Sequence, residues 1–461
     1  VVTERTSGWL AKTSLVGQLS GLVTGEVTSV DLVTKALVDA RMCQTICNAF
    51  ASIAEEQALA AARSSDTKRT RRGKVEGLPI LLKDNIDTHD IVTAYGSRAY
   101  RNHVPERDAP LVRRLKAEGG IILGKTTTHE FAWGVTTQST AFGITRNPHD
   151  RSRIPGGSSG GLAAAIASGV AGAGIGSDTG GSVRIPAALC GVVGFKPSAG
   201  LWPLEGFFPL AATLDHPGII GASVDDVIVL ASALGLDLAE DTGAPRVEYL
   251  EDLPGAPLDS EVRNRVKEAI DAIAMSLPVQ LSNLRPLFAH LFPVFAGTVL
   301  AEAGMVHFAR SSADTIASLY DPDTQSRLER SRLTSLAEYE ACQQQRRSFV
   351  QAFKKEFRSD FLILPTCICT APRIGEDEIS IGSWAGTVRE ALMAYTSPFN
   401  LNGYPAISLP LPTTAGSLPA GIQIVGRPGG DGHLLRFAAT VEAILASPRR
   451  STLPSKETEY G

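Results

Sequence analysis

The tract from Gly156 to Gly200 constrains this chain more than any other. It opens with Gly156-Gly157-Ser158-Ser159-Gly160-Gly161, runs into Leu162-Ala163-Ala164-Ala165, and continues through Ser177-Asp178-Thr179-Gly180-Gly181-Ser182-Val183-Arg184. Side chains this small let backbone approach backbone closely, and glycine reaches dihedrals closed to other residues. The pattern predicts a small-residue helix over Leu162–Val170, a Gly-rich strand over Gly172–Gly176 and a second helix beginning at Arg184–Leu189. Helices so poor in bulk belong at the centre of a large core.

The rest of the chain supplies that core. Residues about 8–65 read as helices, with Ser29 as the N-cap of the second and an Ala-rich helix from Glu55 to Ala62. Leu78–Leu82 and Gly120–Gly124 read as short buried strands separated by a helix over Ala109–Ala117. Charged helices are expected around Leu258–Met275 and Thr324–Ser359, buried strands at Phe361–Pro365, Ala406–Leu409 and Gly421–Gly426, and a last helix at His433–Leu445. Apolar runs alternating with helices predict an α/β fold with a mixed sheet. No linker divides the chain, so residues 1–461 are expected to form a single domain.

Composition excludes some functions. Lys and Arg number 44 against 48 Asp and Glu, a net charge of −4, so no domain-scale basic excess marks a nucleic-acid surface. The one basic cluster, Lys68-Arg69-Thr70-Arg71-Arg72, reads as a solvated loop. Six cysteines without paired CxxC or nearby histidine spacing predict free thiols and no metal site. They fit a reducing cytoplasm. No run of about 20 uninterrupted apolar residues predicts a membrane span, and Val1-Val2-Thr3-Glu4 is neither a secretory leader nor a start at methionine. Neither a nucleic acid nor a membrane is therefore expected as a partner.

Two motif matches compete with the main reading. Gly119–Thr126 satisfies the P-loop string, but its strand-like Ile121-Ile122-Leu123 lies inside the loop, where the N–H groups would be spent on a sheet. Gly156-Gly157-Ser158-Ser159-Gly160 satisfies G-x-S-x-G, yet Asn147–Pro155 before it is loop chemistry where an elbow needs a strand. A reading that uses Lys83, at the end of Leu78-Pro79-Ile80-Leu81-Leu82, together with Ser158 and Ser182 takes in all three segments. It gives the constellation of a Ser–Ser–Lys hydrolase.

Gly156–Ala165, Gly176–Ala187 and Cys190–Ser198 resemble the signature of the amidase signature family. Gly77–Asp87, Gly124–Thr127 with His129–Ala132, Phe142–Pro148, Gly206–Asp215, Ser397–Asn400 with Pro405–Ser408, and Pro419–Gly426 extend the likeness from about residue 10 to 445. The resemblance implies a twisted mixed β-sheet core covered by helices on both faces, with a signature core at about 77–200 and a variable substrate-pocket region at about 275–390. It makes Ser182 the nucleophile, Ser158 the bridging serine after a cis peptide bond, and Lys83 the base. A serine hydroxyl needs a neighbour to take its proton. A lysine can do so only if its pKa falls by several units from about 10.4.

Further roles follow by position. Thr179, Gly180, Gly181 and Ser182 would offer backbone N–H groups as an oxyanion hole. Asp178 and Arg184 would brace that loop, and Ser159 would join the hydrogen-bond network or cap a helix. Phe131, Trp133, Gln138 and Phe142 would line the acyl pocket. In the variable region Met305, Phe308 and Tyr320 are apolar candidates. The implied activity is hydrolysis of a carbonyl C–N bond in a small-molecule substrate, an amide, anilide or carbamate, by a monomer or homodimer with no cofactor, and a carbamate-specific urethanase is the rival. The tRNA-dependent amidotransferases carry the same signature in one of their subunits. However, this chain has Thr127 and Ile185 where that subunit usually carries Asn and Gln.

Overall fold

A computed structural model describes residues 14–67, 73–238, 243–414 and 416–447; the basic cluster at 68–72 and the N-terminal segment fall outside them. An eleven-stranded sheet runs through the protein. From one edge to the other its strands are Phe50–Ile53, Ile121–Thr126, Pro79–Lys83, Ala173–Asp178, His216–Gly221, Val193–Lys196, Ala406–Pro410, Gly421–Val425, Phe361–Pro365, Val247–Tyr249 and Val279–Leu281. Pro79–Lys83 pairs in parallel with both its neighbours, whereas the strands from Ala173 to Pro365 pair antiparallel. The sheet is mixed, with helices on both faces.

Alternation along the strands divides the core in two. Ile80 and Leu82 belong to the larger cluster, while Leu81 packs with Leu162, Ala163 and Val183 in the smaller one. Successive strand residues point to opposite faces, so Lys83 shares the face of Leu81. On that face the helix Gly160–Ala167 lies directly on the strands. A Cβ built on Gly174 would stand 2.6 Å from Leu162 Cδ1, and one on Gly194 would stand 2.7 Å from Ala187 Cβ. The small-residue tract is what this close helix-on-sheet packing requires.

Most predicted elements are present. The exception near the N-terminus is Phe50–Ile53, a strand inside a region read as helical; its edge pairing with Ile121–Thr126 overrides local propensity. Thr28, not Ser29, caps the second helix, accepting from the Asp31 amide while Asp31 reaches back to Thr28 N. The variable region forms an α-helical stack of Leu291–Arg310, Pro322–Arg332 and Leu336–Glu356. Leu291–Arg310 is part of a segment apolar and long enough to cross a bilayer, but half of that stretch is buried inside the protein.

Candidate active site

Lys83 ends its strand fully buried. Its Nζ lies 2.7 Å from Ser158 Oγ, 2.8 Å from Ser177 Oγ and 3.4 Å from the Ser177 carbonyl. Ser177 Oγ also accepts from Asn85 Nδ2 at 2.9 Å. Burial lowers the lysine pKa to about 7, against the opposing pull of Asp178 and Asp215. A neutral amine has two N–H donors and one lone pair. As an ammonium Nζ donates to Ser158 Oγ; in the neutral amine, donation to Ser177 Oγ and the Ser177 carbonyl would leave the lone pair for the Ser158 hydroxyl.

The peptide bond between Gly157 and Ser158 is cis, as the resemblance implies. Ser159 does not cap the helix that follows it. Its Oγ donates to the Ser177 carbonyl at 3.4 Å, and its amide donates to the Ser182 carbonyl at 3.1 Å. Ser182 is thus tied to the site through its backbone and keeps 5% exposure. Its hydroxyl makes no hydrogen bond to a described residue, so the chain of bonds is closed between Lys83 and Ser158 and open between Ser158 and Ser182.

The loop carrying Ser182 is held by a buried ion pair. Arg184 Nη2 and Nε approach Asp178 Oδ1 and Oδ2 at 2.8 and 3.1 Å, with both side chains at 0% exposure. Burial alone would raise the Asp178 pKa, but Arg184 and a bond from Asn400 hold it well below the carboxylate range. The remaining Arg184 donors reach Thr396 O, Gln423 Oε1 and Asn400 Oδ1. Asp178 and Arg184 thus tie the segment before and after Ser182 to Thr396, Asn400 and Gln423.

One oxyanion-hole assignment needs correction. The Gly181 amide is already bonded to Asp178 Oδ1 at 2.8 Å, because the carboxylate that orders the loop needs donors from it. The amides of Thr179, Gly180 and Ser182 have no acceptor among the described residues. Gly181 still has to be glycine: its φ is +123°, and a Cβ there would stand 2.2 Å from Thr396 Oγ1.

One cavity borders this loop, and a second lies against Val135 and Thr136, which pack on Gly157. The smaller, about 70 Å³, is lined by Asn85, Ser177, Thr179, Phe208 and Asp215. Thr179 Oγ1 donates to Asp215 Oδ1 at 2.5 Å, and Asp215 Oδ2 accepts from the Leu210 and Ala211 amides. Burial raises Asp215 to about 6. The larger, about 1200 Å³, is lined by Trp133, Val135, Thr136 and Gln138 on one side and by the variable region on the other.

Trp133 and Gln138 therefore face a cavity, and the other two pocket candidates do not. A turn at Glu130–Ala132 with Phe131 at φ 50° buries Phe131 completely. Its ring centroid sits 4.6 Å from both His307 and Tyr320. Phe142 lines neither cavity; its carbonyl accepts from Asn48 Nδ2 at 2.6 Å. Tyr320 is buried in the same aromatic cluster as Phe131, whereas Met305 and Phe308 are exposed, and none of the three lines a cavity. Lys125 of the P-loop string lies in a strand, its Nζ turned onto the Ile86 carbonyl and Thr88, so nothing there cradles phosphate. Sequence reasoning missed Ser177, Asn85, Asp215 and Asn400. The available signal was a buried-type polar residue inside otherwise small or apolar segments.

The family model described as Amidase matches residues 31–435. The chain belongs to the amidase signature family. It is a hydrolase of C–N bonds on this fold. A solved structure described as an amidase is 33% identical, covers 94% of this chain and 100% of that one, and superposes with a TM-score of 0.86. A glutamyl-tRNA(Gln) amidotransferase component (the A subunit) from Symbiobacterium thermophilum is 33% identical over 464 aligned positions, 90% of this chain and 93% of that protein. Its solved counterpart from Thermotoga maritima is 29% identical, covers 90% of this chain and 94% of its own, and gives a TM-score of 0.73.

These relatives correct the expectation of no nucleic-acid partner, since proteins alike over nearly their whole length are named for a tRNA-dependent reaction. A net charge near neutrality describes solubility and long-range field, and does not decide what an assembly holds.

Proposed function

We propose that this chain cleaves the carbonyl C–N bond of small amides, anilides or carbamates through an acyl-enzyme on Ser182. Neutral Lys83 takes the proton of Ser158 as Ser158 takes that of Ser182, and the freed oxygen attacks the carbonyl carbon. The oxyanion is received by the amides of Thr179, Gly180 and Ser182, already oriented by the Asp178–Arg184 pair. Collapse breaks the C–N bond, with the proton returned through Ser158 to the departing nitrogen. Water then repeats the sequence on the ester. The observation that carries this reading is the 2.7 Å contact between a fully buried Lys83 Nζ and Ser158 Oγ. Side-by-side assays of an amide, an anilide and a carbamate, with Ser182→Ala and Lys83→Ala as controls, test it. Near-normal turnover by either variant would sink it, and preference for the carbamate would select the urethanase.

A second reading rests on the relatives: the same chemistry could serve within a tRNA-dependent amidotransferase, with ammonia passed to an acceptor. Identity of 33% over 90% of the chain favours it, whereas the TM-scores of 0.86 and 0.73 favour the amidase. Copurification with a large partner protein, and tRNA-stimulated release of ammonia, would select the amidotransferase.

A further inference from the structure

The smaller cavity touches the catalytic loop at Ser177 and Thr179, and among the described residues Asp215 is the one charged group lining it. Asp215 is part-exposed, so a ligand in the cavity can meet its carboxylate. The carboxylate accepts three hydrogen bonds, from Thr179 Oγ1 and the Leu210 and Ala211 amides, where such a group has room for about four. No lysine or arginine forms an ion pair with it among the described residues. The neighbouring charge of Glu302 is negative too, and adds to burial in raising Asp215 to about 6.

Asn85 supplies a second acceptor in the same wall. It is buried, and its Nδ2 is held by Ser177 Oγ at 2.9 Å. Its Oδ1 is enclosed and accepts from no donor among the described residues. An enclosed carbonyl left without a donor is costly. The remaining walls, with Leu204, Phe207 and Leu210, are apolar and bring no side-chain donor to either oxygen.

We infer that this cavity takes a short aminoalkyl group from the acyl side of the substrate, with its ammonium donating to Asn85 Oδ1 and to Asp215. An ammonium has three donors and no acceptor, so it answers the orphan carbonyl and the unpaired carboxylate together. Size sets the length. At about 30 Å³ for a water-sized atom, the 70 Å³ cavity holds about two or three non-hydrogen atoms, enough for an aminomethyl or aminoethyl group and too little for an aryl ring. Of an anilide, only the acyl end can therefore enter. Thr179 links the cavity to the chemistry, since its hydroxyl is held by Asp215 while its amide is one of those offered to the oxyanion. The inference rests on the hydrolase reading and narrows its substrates to amides of short amino acids.

Matched para-nitroanilides test it, one with a β-alanyl group that ends in an ammonium and one with a butyryl group that ends in a methyl. In Asp215→Asn the β-alanyl-to-butyryl ratio of kcat/KM falls about 10- to 100-fold, the size of a lost charge-assisted bond, chiefly through KM. Asn85→Ala lowers the same ratio by less. Taking the ratio removes any general loss of activity transmitted through Thr179 or Ser177. An equal ratio in wild type and Asp215→Asn overturns the inference. A second arm needs no turnover: β-alaninamide and butyramide are titrated calorimetrically into Ser182→Ala and into Ser182→Ala with Asp215→Asn. Tighter binding of β-alaninamide by the first alone supports the site even if neither anilide is cleaved, which would count against the hydrolase reading only. Equal binding of the two amides by Ser182→Ala overturns the site whatever the enzyme hydrolyses.

Discussion

Replacing Lys83 by methionine should abolish the pH dependence of the reaction and, at the same time, stabilise the protein in mild acid. The fall of its pKa from 10.5 to about 7 disfavours the ammonium form by about 5 kcal/mol, at roughly 1.4 kcal/mol per tenfold. At neutral pH about half the molecules then hold the amine ready as a base, against roughly one in three thousand for an ordinary lysine. In the wild type, kcat/KM for an anilide should therefore rise with unit slope through pH about 7 and level off above it. Lys83→Met should lose that rise and about 10²–10⁴-fold in rate. The stability sign follows from the same depression. Between about 7 and 10.5 the unfolded chain binds more protons than the folded one, so wild-type stability increases with pH across that window. Below it the buried ammonium is a full liability, and Lys83→Met should resist urea better than wild type at about pH 6. A rate profile that inflects near 10, or a methionine variant less stable in mild acid, would refute the reasoning.

Other sites give independent outcomes. Arg184→Met strands the Asp178 carboxylate at 0% exposure and should cost about 3–5 kcal/mol in urea unfolding, with a loss below about 1 kcal/mol counting against the bracing role. Asp178 itself, held below its ordinary 3.8, adds stability that is present above that value and lost as pH falls beneath it. Gly180→Ala would place a Cβ 2.3 Å from Met393 Cε and Phe295 Cζ. It should destabilise by about 1–3 kcal/mol and lower kcat more than it changes KM; unaltered kcat would remove Gly180 from the oxyanion loop. Asp215→Asn deletes a charge that raises the Lys83 pKa, so the inflection in kcat/KM should move to lower pH, and movement upward would contradict the assignment.

Six of the eleven sheet strands could be read from sequence for a physical reason, and His216–Gly221, Val193–Lys196, Val247–Tyr249 and Val279–Leu281 could not. Leu81, Gly174 and Ala163 announce their packing by size, and Lys83, Ser158 and Ser182 stand out as polar groups in small or apolar surroundings. The edge strand Phe50–Ile53 could not be read because its pairing partner, Ile121–Thr126, lies far along the chain. Asn400 and Gln423 were hidden likewise. They become part of the site only when the strand Gly421–Val425 and the turn at Pro398–Leu401 bring them to Arg184. Local sequence also could not show that Asp178 takes the Gly181 amide, or that a positive φ at Phe131 turns its ring into the aromatic cluster.

The covalent step is the most direct point of attack. A slowly deacylating nitrophenyl carbamate or anilide, quenched in acid during turnover and mapped by peptide mass spectrometry, should place the acyl group on Ser182. The adduct should be missing from Ser182→Ala, and in Lys83→Met it should accumulate far more slowly. An acyl group on another residue, or full turnover with Ser182 unmodified throughout, would contradict the account.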